Sequence, residues 1–451
     1  MSNYKYLNLY FEKRMMRILL LGIMSGFPWV LIGSALSLWL KEYGLSRSAI
    51  GWAGLIFSVY AINFLWAPLV DRLRIPFLSK KIGHRKSWII SMQLIILIAV
   101  ITWSFLDPTK NLWLIIAVGF GIAVSSATQD ITIDALRIEQ VGKNEGRSMA
   151  AGAAMSVVGW WTGYKIGGVI SLMSADYFQK QGLENYWQYS FLILSIIIVL
   201  CNLILLLVPE KNSDERKRKQ EFDEQKILKN LGNSGFFYKI IASLSGTIIS
   251  PLTSFFRKNS FNIALGILGF IFLFKIGEAF LGRMSIIFYK EMGFSKTDIA
   301  FYSKGIGWIT TVSFTLLGGF FSIRMGLLRA MFVSGIIMAL TNLMFSVLAW
   351  VGSSEILFAA AVLLDDLAAA FATVAFVGFI SSLVDRTYTA TQYALLASIG
   401  TAGRTLFASS SGTLVDWLNG DWGIFFIITA LMVVPSLICL YLIRNKLNLN
   451  E

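Results

Sequence analysis

Three acidic positions lie where lipid is expected. Asp130, Glu278 and Asp365, the last followed by Asp366, sit well inside long apolar runs. An ionised group at mid-bilayer costs about 2.5–3.5 kcal/mol on insertion scales, so such residues face water, a partner or a cargo. A desolvated carboxylate also gains affinity for a proton. Reversible proton uptake is the chemistry these groups fit, and Asp130, Glu278, Asp365 and Asp366 are the candidate proton sites. Lys165, Lys304 and Arg404 share the apolar setting and are suited to hold an anion or a deprotonated carboxylate. Gln129 and Gln392 offer amides to sugar or peptide groups, and Phe27 and Trp29 an apolar wall for a sugar face. Enzyme chemistry is not expected. The single histidine, His84, falls in a loop, and Cys201 and Cys439 lie in separate spans. That leaves no nucleophile–base pair, no metal site and no cofactor site to build.

The elements that hold these groups are membrane helices. The chain has 451 residues, is 56% hydrophobic, and only 14% of its residues are charged, against roughly 25% in soluble domains. Twelve apolar spans are expected near 17–40, 48–70, 87–106, 112–137, 148–173, 187–208, 260–289, 296–322, 327–350, 356–384, 389–415 and 422–443. Each is long enough for a hydrocarbon core of about 30 Å. The net charge of +13 does not indicate nucleic acid, because 28 of the 39 Lys and Arg fall on the side of the termini and only six on the other. The positive-inside rule then places both termini in the cytoplasm. A polar stretch after Pro209 divides the chain into residues 1–209, a linker 210–259 and residues 260–451; residues 235–256 within the linker read as an interfacial helix.

Rise per residue places the charges in depth. From the outer span ends, Lys165, Glu278, Lys304, Asp365 and Arg404 lie about 14–18 Å down, near mid-plane, and Asp130 about 28 Å down. Asp365 and Asp366 point about 100° apart on a helix, so at most one faces a central cavity squarely. Two pairings compete with a role in cargo or protons. Lys275 and Glu278 are three residues apart, as are Asp134 and Arg137, and each pair can close on itself. Gly159, Gly163 and Gly167 repeat every four residues, a spacing that lets helices pack closely. Pro28 interrupts the first span and frees a backbone carbonyl there.

The second span ends Ala67-Pro68-Leu69-Val70-Asp71-Arg72, and a basic loop closes with Gly83-His84-Arg85-Lys86. This is similar to the helix 2–3 signature of the major facilitator superfamily, loosened by an insertion. It marks Asp71 and Arg72, with Asp134, as a conformational latch. That fold implies helices 1, 4, 7 and 10 around a central cavity, which would bring every buried carboxylate onto a cavity helix. Two balanced six-helix halves are its layout.

Longer stretches resemble one group in particular. Ser126-Ala127-Thr128-Gln129-Asp130-Ile131-Thr132-Ile133-Asp134-Ala135, Phe64-Leu65-Trp66-Ala67-Pro68, Lys275-Ile276-Gly277-Glu278-Ala279-Phe280 and Thr389-Ala390-Thr391-Gln392-Tyr393-Ala394-Leu395-Leu396 with Gly403-Arg404 resemble segments of the AmpG muropeptide permeases. The matches run from about residue 17 to 440. The resemblance implies a monomeric inner-membrane carrier that imports GlcNAc-anhydroMurNAc and its peptides on the proton gradient. Departures touch the cargo. Trp161 stands where relatives often carry Arg, with Lys165 one turn later, and Asp366 follows the helix-10 acid. The wider group also includes siderophore importers, the alternative cargo class.

Overall fold

A computed structural model describes residues 4–44, 54–142, 145–210, 218, 222, 253–257, 260–294, 307–408 and 410–447. Regular structure among them is helical. Among the described residues eight helices are long and apolar enough to cross a bilayer: Lys13–Leu40, His84–Trp103, Pro108–Gln140, Tyr186–Leu205, Phe261–Ser285, Leu327–Val351, Glu355–Leu383 and Trp422–Lys446. They carry spans 1, 3, 4, 6, 7, 9, 10 and 12. The remaining spans are the second, in short pieces from Gly54 to Arg72, the fifth (Gly146–Lys180), the eighth (Gly307–Met325) and the eleventh (Thr389–Ala408 and Ser411–Trp417).

The second group has a common position. The fifth span packs on the eighth and tenth, and the eleventh on the second and fourth. These are contacts between the two halves of the chain. A helix that faces a partner half or a cleft presents less of its surface to lipid and can hold polar side chains. Most of the linker lies outside the described residues, and with it most of the expected interfacial helix; residues 253–257 are helical.

Two spans are broken beside the polar groups. The first runs as an α-helix over Lys13–Gly26, widens to a π-helix over Val30–Ala35, and resumes over Leu36–Glu42. Pro28, lacking an N–H, accounts for the interruption. The seventh is not the continuous helix expected over 260–289. It stops at Leu273, turns through Phe274 and Lys275, and restarts as Ile276–Glu291. No proline sits there. Gly277 instead approaches the Thr429 carbonyl so closely that a Cβ would collide with it, and Lys275 is held sideways by two polar partners described below.

Glycine faces seat the first span on the fifth. A Cβ at Gly26 would meet the Trp160 carbonyl, and one at Gly163 the Ile23 carbonyl. The expected small-residue face is therefore a helix–helix contact, stabilised by close backbone approach.

Among the described residues the halves meet in a shared core at the end bearing Tyr10 and Ile443, here termed the terminal face. Ala150, Ala153 and Ala154 of the fifth span enter a shared core there with Leu327, Phe371 and Phe379. Tyr10 donates a hydrogen bond to the Leu316 carbonyl at 3.0 Å, and Arg137 to Ser381 Oγ at 3.1 Å. Arg386 donates to the carbonyls of Ile138 and Gly142.

Candidate functional site

At the terminal face the second span ends in a buried lock. Asp71 accepts from Arg85 Nη2 at 2.6 Å, and Arg85 also reaches Glu139 at 3.1 Å. Both Asp71 and Arg85 are buried. Across the gap between halves, Asp71 accepts from the Thr391 N–H at 2.7 Å, the Thr391 hydroxyl at 2.6 Å and the Ala390 N–H at 3.3 Å. One carboxylate of the first half thus caps the start of the eleventh span in the second. First-turn N–H groups have no partner within their own helix, and an anion is favoured beside them. The partner of Asp71 in this lock is Arg85; Arg72 is half-buried next to it. Asp134 closes on Arg137 at 2.9 Å, the self-pairing that its spacing allowed, and Arg137 lies over the Tyr393 ring at 5.4 Å. Nearby, Glu145 is held by Arg14 and Ser148. Burial alone would raise this carboxyl, but those partners outweigh it and keep it below the usual range.

Farther from the terminal face the fourth span presents Asp130. It lies about ten residues, or about 15 Å, from the Gln140 end of that helix. Ser25 Oγ donates to its carboxylate at 2.7 Å, and the Trp29 indole N–H faces the same group. Tyr60 donates to Ser126 Oγ at 2.8 Å one turn away. Trp29 is at the centre of a group of rings: Tyr60 at 4.5 Å, Phe57 at 5.0 Å and Trp160 at 5.6 Å between centroids. Trp160 in turn stacks on Tyr164 at 5.5 Å and meets Trp161 edge-on at 5.1 Å. Lys165 Nζ lies 5.7 Å over the Trp161 ring.

The second half gathers the other charges around the break in the seventh span. Lys275 Nζ lies 3.0 Å from the Glu278 carboxylate and donates to Thr373 Oγ1 of the tenth span at 2.7 Å. Asp365 and Arg404 are both within electrostatic reach of Lys275, and Asp365 of Glu278 and Asp366. Glu278 occupies the first turn of its helix, where the dipole favours an acid. Lys275 is buried, Asp365 and Asp366 half-buried, and Arg404 exposed.

The remaining candidates fall elsewhere. Gln129 is fully buried and donates to the Met24 carbonyl at 2.7 Å, so its amide staples the fourth span to the first. Phe27 is also buried, packed against the Gly167 position. Neither presents itself to a cavity as expected. Gln392 is buried at the terminal face, where its Oε1 accepts from the Asp385 N–H at 2.6 Å; it belongs to the lock region and not with the central charges. Lys304 lies outside the described residues. Sequence reasoning missed the ring group of Phe57, Tyr60, Trp160 and Tyr164. Its signal was present as a Trp-Trp pair four residues before Tyr164-Lys165, but ring contacts between three spans are a tertiary fact.

Comparison with known proteins decides the family. The sequence profile of the Major Facilitator Superfamily matches residues 18–311. Putative transporter AmpG 4 of Rickettsia conorii is 33% identical over 444 residues, covering 97% of this chain and 98% of that protein. The chain belongs to the AmpG branch of the major facilitator superfamily. The anhydromuropeptide permease of Escherichia coli K12, 28% identical, covers 98% of this AmpG-family chain and is itself covered over 82%. Among solved structures, the E. coli fucose:proton symporter FucP superposes with a TM-score of 0.63 at 15% identity, over 97% of this chain and all of that one. The proton:xylose symporter XylE gives 0.61 at 15% identity, over 100% and 99%. At such identity the likeness is one of fold. It agrees with twelve spans in two six-helix halves, a membrane protein of a transporter family.

Proposed function

We propose that this protein imports anhydromuropeptides, GlcNAc-anhydroMurNAc with or without its peptide, from the periplasm to the cytoplasm in symport with protons. The observation that carries the cargo is the near full-length similarity to the E. coli anhydromuropeptide permease. Charge distribution supports the orientation: most basic residues lie on the terminal face, which is then cytoplasmic, in the inner membrane. Lacing of the halves on that side fits a cleft that is open to the periplasm.

In this reading the cargo enters between the halves and meets Lys275, Arg404 and Lys165 as anion contacts. A proton taken up by the Glu278–Asp365 pair neutralises a carboxylate and releases Lys275 from Glu278. The ammonium is then free for a carboxylate of the cargo. Asp130, nearer the cytoplasm, accepts or passes a proton as the halves rock. Closure of the periplasmic side requires the Asp71 cap on the eleventh span and the Asp134–Arg137–Ser381 contact to break. Trp29 stands on the cleft wall, and protein and proton act without a cofactor, as a monomer.

Counterflow in proteoliposomes tests the cargo. Vesicles loaded with unlabelled GlcNAc-anhydroMurNAc-tripeptide should take up the labelled compound transiently, and excess ferric siderophore should not compete. Absence of counterflow, or competition by the siderophore at similar concentration, would overturn the assignment.

A further inference from the structure

The fifth span changes character along one face. At the terminal face, Ala150, Ala153 and Ala154 of this span meet the other half: Ala154 lies against Gly319, and Ala150 and Ala153 against Gly378. Seven residues on from Ala154 is Trp161, and fourteen on from Ala150 is Tyr164. Seven residues bring a helix back to nearly the same azimuth. The face that touches the second half where the halves meet therefore continues, farther from the terminal face, as large half-buried rings. Trp160 flanks that line and joins it to Trp29 and Tyr60 of the first and second spans. Fully buried rings would read as core. These rings are each partly exposed, and the more exposed Val169 and Met173 of the same helix lie about 80–180° from them in azimuth, while Leu172, three turns beyond Trp161, returns to its azimuth.

The two walls of the cleft consequently differ in chemistry. The first half offers flat apolar faces edged by Tyr hydroxyls and indole N–H groups. The second offers Lys275, Glu278, Asp365 and Arg404. A pyranose with equatorial hydroxyls presents apolar C–H faces and a polar rim, which suits amphipathic ring faces; burying them against Trp or Tyr removes apolar surface from water while the rim keeps its hydrogen bonds. A peptide rich in carboxylates suits the opposite wall.

Resting on the muropeptide reading, we infer that Trp160, Trp161 and Tyr164, with Trp29 and Tyr60, form the saccharide platform, and that the cargo lies across the cleft with its sugars on the first half and its charged end on the second. Lys165, over the Trp161 ring, holds that indole in place.

Equilibrium binding of labelled GlcNAc-anhydroMurNAc, without peptide, to the purified full-length protein in nanodiscs tests this. Wild type binds the disaccharide, and the free tripeptide at equal concentration does not displace it. Trp161→Ala and Tyr164→Ala each weaken binding about tenfold, a change of about 1.4 kcal/mol. Val169→Ala, at an exposed position of the same helix, leaves binding unchanged. The same fold-losses appear with the peptide-bearing cargo. Near wild-type disaccharide affinity in both ring variants, or displacement by free tripeptide, overturns the platform while leaving the muropeptide reading in place. Failure of wild type to bind either muropeptide overturns that reading, and this inference with it.

Discussion

In the proposed cycle the Lys275–Glu278 pair serves structure and transport together. Both groups are largely removed from water, and Thr373 Oγ1 accepts a further hydrogen bond from the ammonium. Removing one member of a buried pair strands the other, at about 3–5 kcal/mol. Glu278→Leu is therefore expected to lower thermal stability markedly, and adding Lys275→Met is expected to recover most of the loss. Differential scanning measurements on the single and double variants check this; equal melting of wild type and Glu278→Leu would show the pair to be solvated. Asp130 should behave differently, since its hydrogen-bond partner Ser25 is neutral. Asp130→Asn is expected to keep exchange of cargo across the membrane while losing gradient-driven accumulation by about tenfold or more, as read by comparing counterflow with uptake. Residue types and their burial in apolar runs made Asp130, Glu278, Asp365 and Arg404 legible. Side-chain azimuth was not. Gln129 and Phe27 point into the packing against the first and fifth spans because tertiary contacts set the rotation of each helix.

At the scale of elements, close packing of the first span on the fifth positions both Trp29 and Trp160. Gly163 sits against the Ile23 carbonyl with no room for a Cβ. Gly163→Leu is expected to abolish cargo binding by parting these helices, with insertion into the membrane retained; unaltered binding in nanodiscs would contradict the packing argument. The glycine period announced this contact. The break in the seventh span had no such announcement, because its cause is the Thr429 carbonyl of the twelfth span pressing on Gly277. A lone glycine in an apolar run does not state which backbone will approach it. The cap on the eleventh span was half legible: Asp71 was marked as a latch, but its capping of Thr391 joins residues 320 positions apart. Asp71→Asn weakens that cap by removing the charge, and is expected to raise the rate of thiol labelling of Ala394→Cys, buried beside it, from the side of the terminal face.

For the whole molecule, the pattern of charges and apolar lengths carried most of the fold. Among the described residues the second, fifth, eighth and eleventh spans show no long lipid-like helix, and all four lie at the contact between halves, together with the fourth and tenth. In the proposed cycle the terminal-face contacts belong to one of two states between which the halves rock. Ser398 Oγ and Asn63 Oδ1 lie 3.5 Å apart across the halves, so bridging Asn63→Cys and Ser398→Cys with a short thiol reagent should stop transport, reversibly if the bridge is cleavable. Central to this account is a cleft in which acids and bases of both halves couple protons to an anionic cargo. Uptake of labelled GlcNAc-anhydroMurNAc-tripeptide into proteoliposomes under an imposed pH gradient, acidic outside, measures that most directly. Wild type should accumulate the compound above its external concentration and lose it when a protonophore is added, and neither Asp130→Asn nor Arg404→Ala should accumulate it. Accumulation that is indifferent to the gradient, or undiminished in both variants, would contradict the account.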